Sequence, residues 1–269
     1  MTVDQREAQA AVREMSARVG ALVRSVRRPD ARGVGDWSVV ELACHLSHAM
    51  DAVSATARGA GGFIEDIAGL AGLTATMVAS ESERDPLKLG DRIEASVAAA
   101  MDWMGPAADA GLQTWFLPGV KVPISFLTCH ILNELTVHGH DIAKAEGVAW
   151  PISKTTARLV LEGFVVPVLT HIGDQLVHEE NARGVRVAYR LHLRGGGSST
   201  WRFQDGKLTV TQGPSNEPVD CHISADPVAF LLVTWGRLNQ WRAIGRGQLL
   251  AWGRKPWMGL KLRSLVRNP

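Results

Sequence analysis

Residues 36–46 read Asp36-Trp37-Ser38-Val39-Val40-Glu41-Leu42-Ala43-Cys44-His45-Leu46. A serine followed three residues later by a glutamate, at the head of an apolar run, is a capping box, in which each side chain satisfies a backbone N–H of the other. The stretch therefore predicts a helix from Ser38 to about Arg58, with His45 early on it. A second stretch, Asn133-Glu134-Leu135-Thr136-Val137-His138-Gly139-His140-Asp141-Ile142-Ala143, falls in a helix predicted after Pro123, from Ile124 to about Glu146. Gly147 is its expected C-terminal stop.

On that second helix Glu134 and His138 are four residues apart, so they project from one face one turn apart. His130 lies a further turn back, and Asp141, three beyond His138, can turn towards the same place. Two histidines and one carboxylate leave coordination positions open on a divalent metal, an arrangement suited to catalysis more than to structure. Glu134 and His138 would come from one helix and His45 from across the bundle. Spacing alone does not separate such a site from a hydrogen-bonded polar pair in a helix interface.

Outward from these two helices the first part of the chain is helical in period. Residues 4–27 carry apolar side chains at intervals of three and four (Ala8, Val12, Met15, Val19, Leu22, Val23). Residues 59–80 are expected to be helical, as are 91–104 behind an Asp91 cap. So is the long apolar stretch 153–178, with Pro167 as a kink or break. Together these elements suggest an up-down bundle over residues 1–180.

After residue 181 the period changes to two. Val185, Val187, Tyr189, Leu191 and Leu193 alternate with polar neighbours, as in a half-buried strand. Segments 200–203 and 208–211 flank Asp205-Gly206, a hairpin signal, 219–224 is another short strand, and Asp226-Pro227 opens a helix. The fold class expected is thus α+β in two domains, with a small α+β domain over 181–269.

At 46% apolar and 21% charged residues the 269-residue chain has the composition of a globular protein. A net charge of +2 argues against nucleic acid or a membrane as the main partner. The late basic residues then read as a solvated face. No apolar run suggests a membrane span, and the N-terminus lacks the pattern of a secretory signal. Three widely spaced cysteines (Cys44, Cys129, Cys221) make neither a disulfide framework nor an all-cysteine metal site. A cytoplasmic, reduced protein is expected, with monomer and dimer both compatible.

Both quoted stretches resemble the two signatures of the mycothiol-dependent maleylpyruvate isomerase family, a family of DinB-like helical bundles. The first matches a W-[ST]-V-x-[DE]-L-x-x-H-L pattern and the second an E-x-x-x-H-x-x-D-[LI]-A pattern, in the same order and at similar separation. The back half, through residues 219–227 with Trp235-Gly236-Arg237 and Gly253-Arg254-Lys255-Pro256-Trp257, is similar to that family's C-terminal domain, related to sterol carrier protein 2. The resemblance implies that His45, Glu134 and His138 ligate a divalent metal, usually zinc. The metal would activate mycothiol for addition to an electrophilic small molecule.

His140 stands where relatives often have tryptophan and is not counted as a ligand. His48 is a neighbour or substitute ligand, and Asp141 the expected partner that orients a histidine ligand. Arg237 and Arg242 are candidates to hold an anionic substrate. Cys44 and Cys129 are expected to be buried and inert, and Trp235, Trp241, Trp252 and Trp257 to pack in the core. Competing readings are a small-molecule or lipid-binding protein with a non-catalytic metal, and a metal-dependent hydrolase.

Overall fold

A computed structural model of the chain describes residues 3–60, 67–105, 112–115, 117 and 119–267. The chain divides into two compact units, Thr2–Ile152 and Ser153–Pro269.

The first unit is built on four long helices: α1 (Gln5–Arg24), α2 (Val39–Ala57), α4 (Pro86–Met104) and α5 (Ile124–Glu146). Helices α1 and α2 each pack against both α4 and α5, which closes the bundle. The predicted stripe of α1 is its buried face, with Ala8, Val12, Val19 and Val23 fully buried. Helices α4 and α5, which pack against α1, bury Ile93 and Val97, and Leu127, Ile131 and Leu135, respectively. Close approach of α1 and α4 depends on glycine: a Cβ on Gly90 would lie 2.9 Å from the carbonyl oxygen of Gly20.

Two short hairpins cap the bundle, β1 (Arg32–Val34) with β2 (Trp37–Ser38), and β3 (Leu112–Thr114) with β4 (Lys121–Pro123). The capping box forms: the Ser38 N–H donates to Glu41 Oε2 at 2.8 Å, and the Glu41 N–H to Ser38 Oγ at 3.3 Å. Gly147, at φ 73°, ends α5, and the Val148 N–H turns back to the Ala143 carbonyl.

Two helix starts differ from expectation. Helix α4 begins at Pro86 behind Asp85, whose carboxylate accepts from the Leu87 N–H; Asp91 instead pairs with Arg24 at 3.1 Å. Of segment 59–80 only α3 (Leu70–Ser80), after a 3-10 turn over Ile67–Gly69, is helical among the described residues; residues 61–66 lie outside them.

The second unit starts earlier than the change of period suggests. A helical run, α6 (Lys154–Val160), a π-helical turn (Leu161–Val165), α7 (Val166–Ile172) and a 3-10 turn (Gly173–Leu176), belongs to it rather than to the bundle. The reason is where its partners are: Gln212 donates to the Glu162 carbonyl and the Leu208 N–H to Asp174 Oδ1, both reaching from the sheet. Pro167 does not end the helix, because the preceding turn widens where the proline removes a donor. By length and hydropathy Lys154–Leu176 passes as a membrane span, contrary to expectation, yet 72% of its apolar window is buried, as in the core helix of a globular unit.

After the short α8 (Glu179–Ala182), the sheet follows with strands β5 (Val187–Leu193), β6 (Ser198–Gln204), β7 (Lys207–Gln212), β8 (Cys221–Ala225) and β9 (Leu249–Trp252), in the order β7-β6-β5-β8-β9. Only β5 and β8 run parallel. Asp205 and Gly206, at φ 53° and 77°, make the tight β6–β7 turn. Strand β5 is central and buried on both faces, so even Arg190 is 5% exposed, donating to the Ser215 carbonyl. Helices α9 (Pro227–Thr234), α10 (Gln240–Gly245) and α11 (Leu262–Leu265) complete the α+β unit. Core packing does not hold for three of the tryptophans: Trp241, Trp252 and Trp257 are exposed, and Trp235 is half-buried.

Candidate metal centre

Three side chains meet inside the first unit. His45 from α2 and Glu134 and His138 from α5 each offer one ligand atom, and these atoms all lie within 4.8 Å of one another. Nε2 of His45 is 3.3 Å from Glu134 Oε2, and Nε2 of His138 is 3.5 Å from the same oxygen. The capping box fixes where α2 begins and hence where His45 sits. The other two ligand positions follow from helical spacing on α5. All three side chains are about 15% exposed, shielded but open to a small ligand.

The surroundings orient these groups. Nδ1 of His138 faces Asp141 Oδ2 at 3.2 Å, and Asp141 is buried. If Nδ1–H donates there, Nε2 of a neutral ring turns a lone pair towards a carboxylate oxygen. Such an arrangement is favourable only with a cation between them, a proton or a metal ion. Consistent with that, burial opposes charge on His138, but Asp141 and Glu134 outweigh it and raise the imidazole to about 9. Burial would also raise Glu134, yet His138 and His45 hold it well below the usual carboxylate range. The donor set, two imidazole nitrogens and a carboxylate oxygen, fits a zinc-like divalent ion with positions left open.

Other predicted residues separate clearly. His48 lies outside the cluster; its Nε2 is 3.3 Å from Glu81 Oε2, which also pairs with Arg92 at 2.7 Å. His140 is outside it too. Cys44 and Cys129 are buried, and burial pushes the Cys44 thiol up. Arg237 and Arg242 belong to the second unit: Arg237 donates to the Trp235 carbonyl, and Arg242 is exposed on α10.

Three contacts at the site were not assigned from sequence. The Trp37 ring packs 5.1 Å from the His45 ring. Asn133 donates to Glu134 Oε1 at 3.2 Å, and His130 Nε2 lies 3.7 Å from that oxygen. Burial lowers His130 to about 4, so the ring is neutral. His130 was visible as a turn on the same face. Asn133 was not, because neighbours on a helix point about 100° apart.

Residues 8–143 match the family model of the mycothiol maleylpyruvate isomerase N-terminal domain. The chain belongs to this family. A crystal structure of the mycothiol-dependent maleylpyruvate isomerase aligns over 93% of this chain and 95% of its own, at 14% identity and a TM-score of 0.51. A histidine-to-alanine mutant of that enzyme aligns over the same shares at 14% identity and a TM-score of 0.54. Both likenesses concern the fold. The solution structure of sterol carrier protein domain 2 of Helicoverpa armigera covers 37% of this chain and 83% of its own, at 21% identity and a TM-score of 0.32. No curated protein matches the chain in sequence. The bundle that carries the family match is the unit that holds His45, Glu134 and His138.

Proposed function

We propose that this protein is a divalent-metal-dependent, mycothiol-dependent isomerase or S-transferase acting on an electrophilic small molecule. The observation that carries the reading is the convergence of His45 and His138 Nε2 on Glu134 Oε2 in a chain of this family.

A zinc-like ion held by these three residues would lower the pKa of a thiol and make it a nucleophile at neutral pH. Within the protein, Asp141 beside Nδ1 would hold His138 in the tautomer that presents Nε2 to the ion. Asn133 and His130 occupy the far oxygen of Glu134, which leaves Oε2 for the ligand role. The Trp37 ring lies against the His45 ring. The nucleophile in this reading is mycothiol, since Cys44 and Cys129 are buried and Cys44 is raised. Sulfur adds to an activated alkene carbon. Protonation of the adjacent carbon retains the new C–S bond and gives S-conjugation; rotation about the former double bond and expulsion of the thiolate re-forms the alkene as its other isomer. On charge and family resemblance, Arg237 and Arg242 of the second unit are proposed as candidates to bind an anionic substrate.

The test is metal analysis of the purified protein, followed by assays with mycothiol and either maleylpyruvate or monochlorobimane. Turnover that needs both metal and mycothiol is expected. A metal-loaded protein that consumes no thiol, and instead hydrolyses a substrate without it, would replace this reading with a hydrolase.

A further inference from the structure

The small net charge of the chain hides a strong segregation. Residues 227–269 contain eight of the 29 lysines and arginines and none of the 27 aspartates and glutamates. Residues 1–226 consequently carry six more acidic than basic side chains. Within the same basic segment lie five of the nine large hydrophobic side chains that are exposed among the described residues: Trp241, Leu250, Trp252, Trp257 and Leu260, each 39–59% exposed.

Neighbouring elements of the second unit carry these side chains. Strand β9 is an edge strand, paired to β8 on one side only. Leu250 and Trp252 share one of its faces, where Trp252 lies against His222 with ring centroids 5.3 Å apart. The 3-10 turn Pro256–Leu260, with Trp257 and Leu260, packs against β8 and β9, and α10, with Trp241, also adjoins β9. Asp220 answers Arg254 and Lys255, but Arg246 and Lys261 make no ion pair among the described residues.

We propose that this end of the second unit docks on the surface of an anionic phospholipid bilayer. Tryptophan has an apolar body and a polar tip suited to the headgroup boundary, and lysine and arginine beside it are drawn to anionic headgroups. A second copy of the chain is a poor occupant, because a two-fold contact would press two acid-free basic segments together. Single-stranded nucleic acid would use the rings and the charges but not Leu250 and Leu260, whose aliphatic side chains gain by entering lipid. The proposal is independent of the metal centre.

The experiment is co-sedimentation of the full chain with vesicles of phosphatidylcholine alone or with about one-third phosphatidylglycerol. Binding at least about tenfold stronger to the anionic vesicles is expected. The double variant Trp241→Ser/Trp257→Ser should bind about tenfold or more weaker. Arg246→Ser/Lys261→Ser should bind about twentyfold weaker. Because all four side chains are exposed or nearly so, unchanged circular dichroism and Tm would show that the variants fold. The proposal is overturned if neither vesicle sediments the chain or if the tryptophan variant binds undiminished. Tighter binding of a single-stranded oligonucleotide than of anionic vesicles would overturn it, as would a dimer that the tryptophan variant dissolves.

Discussion

Asp141 gives the most informative single perturbation of the proposed metal centre. Its carboxylate faces His138 Nδ1 at 3.2 Å and is buried, so the contact is a charge-assisted hydrogen bond shielded from water. Such a bond contributes about 1.5–3 kcal/mol, against about 0.5–1.5 kcal/mol for a neutral one. Asp141→Ala removes the bond and frees the His138 ring to rotate or change tautomer. Metal affinity should fall about 10–100-fold, as for other partners behind metal-bound histidine. Asp141→Asn keeps an acceptor near Nδ1 without the charge, and the loss should be about three- to tenfold. Competition of each variant with a chromophoric chelator for zinc measures both. The order wild type, Asp141→Asn, Asp141→Ala is the expected one. Wild-type zinc affinity in a folded Asp141→Ala protein would refute the argument that Asp141 sets the ligand tautomer.

Ser38→Ala removes half of the capping box at the head of the helix carrying His45; a loss of about 1 kcal/mol in urea unfolding is expected, and no change would show that the box is dispensable. Gly139→Ala, one residue past His138, places a Cβ inside van der Waals distance of the Trp150 ring and 3.1 Å from Val19 Cγ2. It should cost about 1–3 kcal/mol and lower Tm. In the second unit, burial alone would raise the Asp220 carboxyl, but Arg254, the Ala188 N–H and Lys255 outweigh it and hold it at about 2. Its contribution is therefore present above the unfolded value near pH 4 and lost as pH falls towards 2. With Arg254 largely exposed, that contribution is about 1–2 kcal/mol. Asp220→Asn should show this deficit at pH 7 and only a small remainder near pH 2; an equal deficit at both would contradict the linkage.

Features written in local chemistry were legible in the sequence. The capping box at Ser38 and the glycine stop at Gly147 depend only on adjacent residues, and both form. Helical period puts Glu134 and His138 on one face, but only the family resemblance selects His45 as the third; the structure brings the three donor atoms within 4.8 Å of one another. At the head of α4 the sequence misleads: Asp91 looks like a cap, but it is taken by Arg24, and the helix starts about a turn and a half earlier behind Asp85. Helical period also cannot say which core a helix faces: by period the run from Lys154 joins the bundle, whereas its partners lie on the sheet. Strand β9, four apolar residues without alternation, left no period to read. Hydrophobicity places the tryptophans at 241, 252 and 257 in the core, but it does not report exposure, and all three are exposed.

The central claim is that His45, Glu134 and His138 hold a metal ion that takes up a thiol. Cobalt(II) loaded into the purified protein reports both parts in one absorption spectrum. The account predicts that visible ligand-field bands appear on loading and that mycothiol adds a sulfur-to-cobalt charge-transfer band in the near ultraviolet. Neither should appear in the His138→Ala or Glu134→Ala protein. Ligand-field bands that mycothiol leaves unchanged, or cobalt bound as tightly by both variants, would contradict it.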